Sequence, residues 1–130
     1  MEPTKQERAL RFFEWAQGFA AMRMAYFGLR LGLFEALRSS PTGLTAADLA
    51  RTLDLDERYV AAWAKASYGC ELLAYDPATS RFRLAPHMGE LLMNVSDPYY
   101  VAGLPLSLAV ESRLVDRLLD AFRSGGGLPF

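Results

Sequence analysis

Few side chains in this sequence are equipped for chemistry, and they are scattered. His87 is the only histidine and Cys70 the only cysteine. A metal site needs a clustered set of His, Cys or carboxylate ligands; no such spacing occurs, and no metal ligand is assigned. No nucleophile, base and acid can be brought together either. His87 follows Pro86 and reads as a helix-start or surface residue. Asp76 and Asp97 each precede a proline, which is a turn position rather than that of an acid or base. Cys70 reads as a small buried hydrophobe. No catalytic residue is therefore assigned, and what remains is binding. Met22, Tyr26 and Phe27, with Met24 among them, could wall an apolar pocket for a small molecule. The same residues suit plain core, and both readings stand.

The elements that must position them follow from periodicity. Residues 7–17 read as a helix with Leu10, Phe13 and Gln17 in line, widened by Ala9, Phe12 and Ala16. A second helix is expected from 19 to about 38, apolar on nearly every side, which demands burial all round. Gly28 and Gly32 would leave one side thin enough for a close helix neighbour. Core helix and dimer interface are both compatible with this. "SSPTG" (39–43) breaks the chain. Thr45 then caps a short helix starting at Ala46, with Asp48 at the capping-box position and Leu44 and Leu49 as a staple. The helix ends near Leu53. Asp54 or Asp56 caps the next, which places Tyr59, Val60, Trp63 and Ser67 on one face, with Trp63 buried between helix and wing. "ELLAY" and "RFRL" read as two strands joined by the turn "DPATS". Two helices followed by a hairpin make a winged helix-turn-helix. A short helix with Pro86 in its first turn follows. Residues 99–123 form a long helix broken near Pro105, with Leu104, Leu108, Val115, Leu118 and Phe122 as its stripe.

The fold class is therefore mainly α: a winged helix-turn-helix with a two-stranded wing, added N-terminal helices and a long C-terminal helix. The 130 residues suffice for one domain with a core, and 52% are hydrophobic against 22% charged. The lone cysteine allows no internal disulfide, which suits a reducing cytoplasm. The polar "MEPTKQERAL" is unlike a signal peptide. Arg23, Arg30 and Glu35 interrupt the most apolar stretch, so no membrane span or membrane partner is expected.

A helix-turn-helix invites a DNA-binding reading, and charge argues against it. Between residues 45 and 84 the basic side chains are Arg51, Arg58, Lys65, Arg81 and Arg83. The acidic ones are Asp48, Asp54, Asp56, Glu57, Glu71 and Asp76, one more. Affinity for nucleic acid rests on Lys and Arg neutralising phosphates. Base contacts usually come from the first turn of the second helix, which here carries Asp56 and Glu57. No nucleic-acid partner is expected. A winged-helix transcriptional regulator, using Arg81 and Arg83 on the wing, is the alternative. A stand-alone ligand-binding module with a closed apolar pocket is the third reading.

Taken together, "LGLFEAL", "LTAADLARTLDLDERYVAAWAKA", "LLAYDPATSRFRL" and "SGGGLPF" resemble the N-terminal winged-helix domain of S-adenosylmethionine-dependent methyltransferases, similar to small-molecule O-methyltransferases. The order and spacing of these pieces carry the resemblance. It implies a winged-helix dimerisation domain over residues 1–123 and a Gly-rich linker over 124–130, leading to a Rossmann-like catalytic domain that lies outside this sequence. It implies a homodimer through the N-terminal helices, a roof over the pocket for a small-molecule substrate, and no catalysis by this chain alone. S-adenosylmethionine would belong to the catalytic domain, and no cofactor-binding residue is expected here. The parent enzyme would be a cytoplasmic transferase. The pair Cys70-Glu71 departs from the pattern, where Gly or another small residue is expected before the strand.

Overall fold

The computed structural model describes residues 1–127; Leu128, Pro129 and Phe130 of the expected linker lie outside the described residues. The first element is one helix, α1 (Lys5–Arg30). A reciprocal capping box starts it. The Thr4 hydroxyl accepts from the Glu7 amide at 3.1 Å, and the Glu7 carboxylate accepts from the Thr4 amide at 3.2 Å. The boundary expected near Gly18 does not exist. A single glycine inside a helix costs only about 1 kcal/mol, and strong helix formers flank this one.

The break falls later. Gly32 adopts φ +76°, a left-handed conformation open to glycine at little cost, and starts α2 (Leu33–Arg38). The expected helix over 19–38 is thus split in two, and α2 folds back onto α1. Gly28 makes this possible. A Cβ there would sit 2.3 Å from the Phe34 ring. The two glycines therefore do different work, a close ring contact and a chain reversal, rather than thinning one helix side. Leu33, Phe34 and Leu37 are all buried, so α2 is the centre of the core.

α3 (Ala46–Leu53) begins where the local signals place it, with the Thr45 hydroxyl accepting from the Asp48 amide at 3.1 Å. Asp54 closes it in the left-handed region, φ 55°. Asp56 caps α4 (Glu57–Gly69) by accepting from the amides of Arg58 and Tyr59. Val60, Trp63, Ala64 and Ser67 face inward. Tyr59 does not: it is 77% exposed. Trp63 packs against α1 and α2 and shares one core cluster with Leu73 and Phe82 of the wing. Its Nε1 donates to the Met24 carbonyl at 2.9 Å and its ring lies 5.5 Å from that of Phe34. The hydrogen bond gives the indole N–H the acceptor a largely buried ring needs.

β1 (Leu73–Asp76) and β2 (Arg81–Leu84) form an antiparallel wing in which Tyr75 pairs with Phe82. Leu44 adds a short third rung, exchanging two backbone hydrogen bonds with Phe82. Gly43 permits this approach at φ +89°, where a Cβ would lie 2.7 Å from the Phe82 carbonyl oxygen. α5 (Met88–Met93) starts after His87, so Pro86 stands outside its first turn. The C-terminal helix is two helices, α6 (Gly103–Ser112) and α7 (Val115–Ser124), divided at Arg113 and Leu114. Pro105 does not break the chain. It sits in the first turn of α6, where a missing amide is harmless. The expected stripe is corrected as well. Ala102, Pro105 and Ala109 are buried and Leu108 borders the cleft against α1, whereas Leu104, Val115, Leu118 and Phe122 are exposed. α7 buries no residue at all.

Candidate functional site

An apolar groove of about 560 Å3 lies between the C-terminal half of α1, the start of α2 and α4. Met24, Phe27, Leu31 and Leu33 form one wall; Leu55, Tyr59, Val60 and Trp63 form the other. Small side chains make the space. Ala62 and Ala66 on α4 stop short where larger residues would fill the groove. Asp56, already engaged in capping α4, is the one ionisable carboxylate at its edge. An apolar cleft of this size with few polar groups binds apolar matter, whether a ligand or a side chain. The groups there able to exchange a proton are the Asp56 carboxylate, engaged in capping α4, and the Tyr59 hydroxyl.

The three residues singled out in the sequence do not converge. Phe27 lines the groove and is 41% exposed. Met22 turns to the other side of α1, into a narrow cleft against Pro105, Leu108 and Ala109 of α6. Tyr26 goes the same way, its hydroxyl accepting from Arg113 at 3.4 Å. Residues four apart share a helix face and the next residue lies about 100° away, which separates Phe27 from the other two. The α4 side of the groove was missed. Spacing places Tyr59 on the buried face with Val60 and Trp63, whereas here it stands at the groove's rim.

His87 and Cys70 stand apart. His87 is exposed and its ring faces Glu90 at 3.3 Å. Cys70 is half-buried at the C-terminal cap of α4. Among the described residues no cluster of His, Cys, Asp or Glu could hold a metal ion, and no helix is long and apolar enough to cross a membrane.

Along the surface a winged helix would turn to DNA, the cations are partly occupied. Arg51 pairs with Asp48 and Arg58 approaches Asp56 at 3.7 Å. The Thr45 hydroxyl, and then the Arg51 guanidinium, hold the Asp48 carboxyl below its usual range. Lys65 borders a second, shallower groove with Tyr68, Tyr75 and Phe82, between α4 and the wing.

Two helices, a hairpin and a third rung at Leu44 place the chain among winged helices. The profile of the family described as "Rv2258c-like winged HTH domain" matches residues 6–94. The chain belongs to this family. This winged HTH domain also aligns with parts of larger solved proteins. An O-methyltransferase family protein from Burkholderia thailandensis matches 98% of the chain at 18% identity and TM-score 0.70. N,N-8-amino-8-demethyl-D-riboflavin dimethyltransferase from Streptomyces davawensis matches 95% at 25% identity and TM-score 0.70. Human N-acetylserotonin methyltransferase, solved in complex with SAM, matches 98% at 18% identity and TM-score 0.69. The winged HTH domain spans only 36%, 35% and 38% of those chains respectively. Comparison with the curated proteins gives no match.

Proposed function

We propose that this winged HTH domain is the dimerisation and substrate-lid part of an S-adenosylmethionine-dependent methyltransferase, with no transfer chemistry of its own. The supporting observation is the structural likeness itself: almost the whole backbone, including the added helices α1, α6 and α7, recurs within methyltransferases about three times as long. The exposed aromatic face of α1 supports a homodimer. Phe27, on the groove wall, is the residue we assign to facing a small-molecule acceptor, while Met22 and Tyr26 pack toward α6 on the other side of α1. S-adenosylmethionine would be held by a Rossmann-like domain, whose phosphate- and ribose-binding parts need a strand, a glycine-rich turn and a helix. Among the described residues the only sheet is the two-stranded wing, and "SGGGLPF" follows a helix rather than a strand.

The test is the coding sequence beyond residue 130. A strand, a glycine-rich turn and an acidic residue about 20 positions further on are expected; a stop codon there would overturn the reading. A transcriptional regulator would instead bind duplex DNA, with an affinity that falls steeply as salt rises.

A further inference from the structure

The groove between α4 and the wing differs in chemistry from the one lined by α1. Consecutive residues of a helix lie about 100° apart, so α4 turns Ala61, Lys65 and Tyr68 to the wing groove and Ala62 and Ala66 to the other. The wing groove holds about 340 Å3, within the range of small-molecule sites. Three rings in series line it: Tyr75 lies 6.0 Å from Tyr68 and 4.7 Å from Phe82, centroid to centroid. Tilted aromatic pairs at such spacings attract and so hold one another in place. Ala46 and Ala61 complete the lining, and their short side chains leave the rings uncovered. The turn that brings Ser80 to the edge is fixed by Asp76, whose carboxylate accepts from the Ala78 amide at 3.0 Å and the Thr79 hydroxyl at 3.1 Å.

The polar groups of this groove favour one sign of charge. Lys65 is the one charged residue in its lining, whereas the other groove has the Asp56 carboxylate. Arg81 and Arg83 alternate to the face of β2 opposite buried Phe82, so they turn away. Lys65, Ser80, Tyr68 and Tyr75 can all donate a hydrogen bond. Among the described residues none of these side chains has an ion-pair or hydrogen-bond partner. The Thr45 hydroxyl is already taken by the Asp48 amide. We infer that the groove between α4 and the wing binds a planar aromatic compound with a single carboxylate, its ring against Tyr75 and Tyr68 and its carboxylate on the Lys65 ammonium. The rings call for a flat apolar body. One ammonium matches one negative charge, and a second would stand unpaired beside apolar walls. A cationic ring would meet Lys65 as a like charge. The inference stands apart from the methyltransferase reading, because every residue it uses belongs to α3, α4 and the wing.

β-Naphthoate is a suitable probe, with β-naphthylmethanol as its neutral counterpart of similar shape. In an NMR titration of the isotope-labelled chain, naphthoate should move the amide resonances of Ala46, Ala61, Tyr75 and Ser80. At low salt it should bind about fivefold more tightly than the alcohol, the worth of one exposed ion pair. That preference should shrink as salt rises. Lys65→Gln should abolish it and, because Lys65 is exposed, leave the melting temperature unchanged. Two adjacent alanines separate the grooves. Ala61→Phe should block the probe and Ala62→Phe should not, with a thermal melt showing that each variant is folded. Shifts confined to Phe27, Leu31 and Leu55, or binding lost with Ala62→Phe alone, would put the probe in the other groove and overturn the inference. Equal affinity for acid and alcohol would overturn it too, as would a preference that survives Lys65→Gln or the absence of any shift at millimolar naphthoate.

Discussion

At the scale of single residues, the core is organised by a few contacts that allow no alternative. Trp63 anchors α4 to α1 through its hydrogen bond to the Met24 carbonyl and its contact with Phe34. Trp63→Ala should cost about 3–5 kcal/mol, the range for large aromatic truncations, and a thermal melt should show it as a drop of about 10 °C or more. Ser67 presents the opposite case. Its hydroxyl is fully buried and has no hydrogen-bond partner. An orphaned buried polar group costs about 1–3 kcal/mol, so Ser67→Ala should raise stability by about 1 kcal/mol, measurable by urea denaturation. Asp48 gives a pH signature. Its carboxyl is held below the usual 3.8, so the stabilisation from its ionised form is present above that value. It is lost as pH falls through the lower, folded value. A carboxyl-carbon NMR titration of Asp48 should place its midpoint below 3.8. The burial of Val60, Trp63 and Ser67 was legible from their helical spacing alone. The outward turn of Tyr59 was not, because spacing assigns a face without saying how wide the neighbouring element is.

At the scale of elements, the caps and the strand alternation were legible, while the two proline signals at Pro86 and Pro105 were not. The helix-turn-helix announces itself through Thr45 and Asp56, because an N-cap is a contact between residues two or three apart and needs no tertiary partner. The alternation in "RFRL" gives β2 in the same way. What could not be read depended on contacts distant in sequence. Nothing near Gly18 tells whether α1 continues, and the reversal at Gly32 exists because Phe34 finds Gly28. The same holds for the groove. Its α1 wall lay in an obviously apolar stretch, but its α4 wall is made partly of alanines, whose contribution is the volume they leave empty. The junction between α4 and the wing carries a second testable cost. Glu71 sits at φ +67°, a left-handed conformation that costs a residue with a Cβ roughly 1–2 kcal/mol. This is the place where the sequence departs from the expected small residue. Glu71→Gly should stabilise the domain by up to about 1 kcal/mol, since glycine relieves the strain and gives part of the gain back as entropy of the unfolded chain. Chemical denaturation would check it; a lower midpoint would mean that the Glu71 side chain makes a compensating contact.

At the scale of the whole molecule, the domain has more apolar surface than one copy can cover. Apolar surface left in water costs about 25 cal/mol per Å2, and α1 and α7 together expose Phe12, Phe13, Trp15, Val115, Leu118 and Phe122. Light scattering should return about twice the 14.5 kDa of one chain. Titration calorimetry of the isolated chain with S-adenosylmethionine should show no binding at micromolar concentration, since the described residues contain no strand-turn-helix of the dinucleotide kind. Band shifts with random duplex should be absent below micromolar protein at physiological salt. The acidic first turn of α4 and the pairing of Arg51 and Arg58 leave few cations for phosphate.

The free-standing first half of α1 has a further consequence, for when the chain acquires its structure. A helix of about 15 residues without tertiary support is marginal in water. In the proposed dimer, residues 5–19 would gain lasting structure last, once a second copy arrives. Until then the exposed rings of Phe12, Phe13, Trp15 and Phe19 stay open to chaperones and to wrong partners, in the way that exposes slow-assembling proteins to aggregation. In such a dimer, helicity would depend on dilution. Far-UV circular dichroism of a concentration series should lose helical signal as the dimer dissociates, while in a Trp15→Phe background the fluorescence of Trp63, deep in the winged core, holds steady.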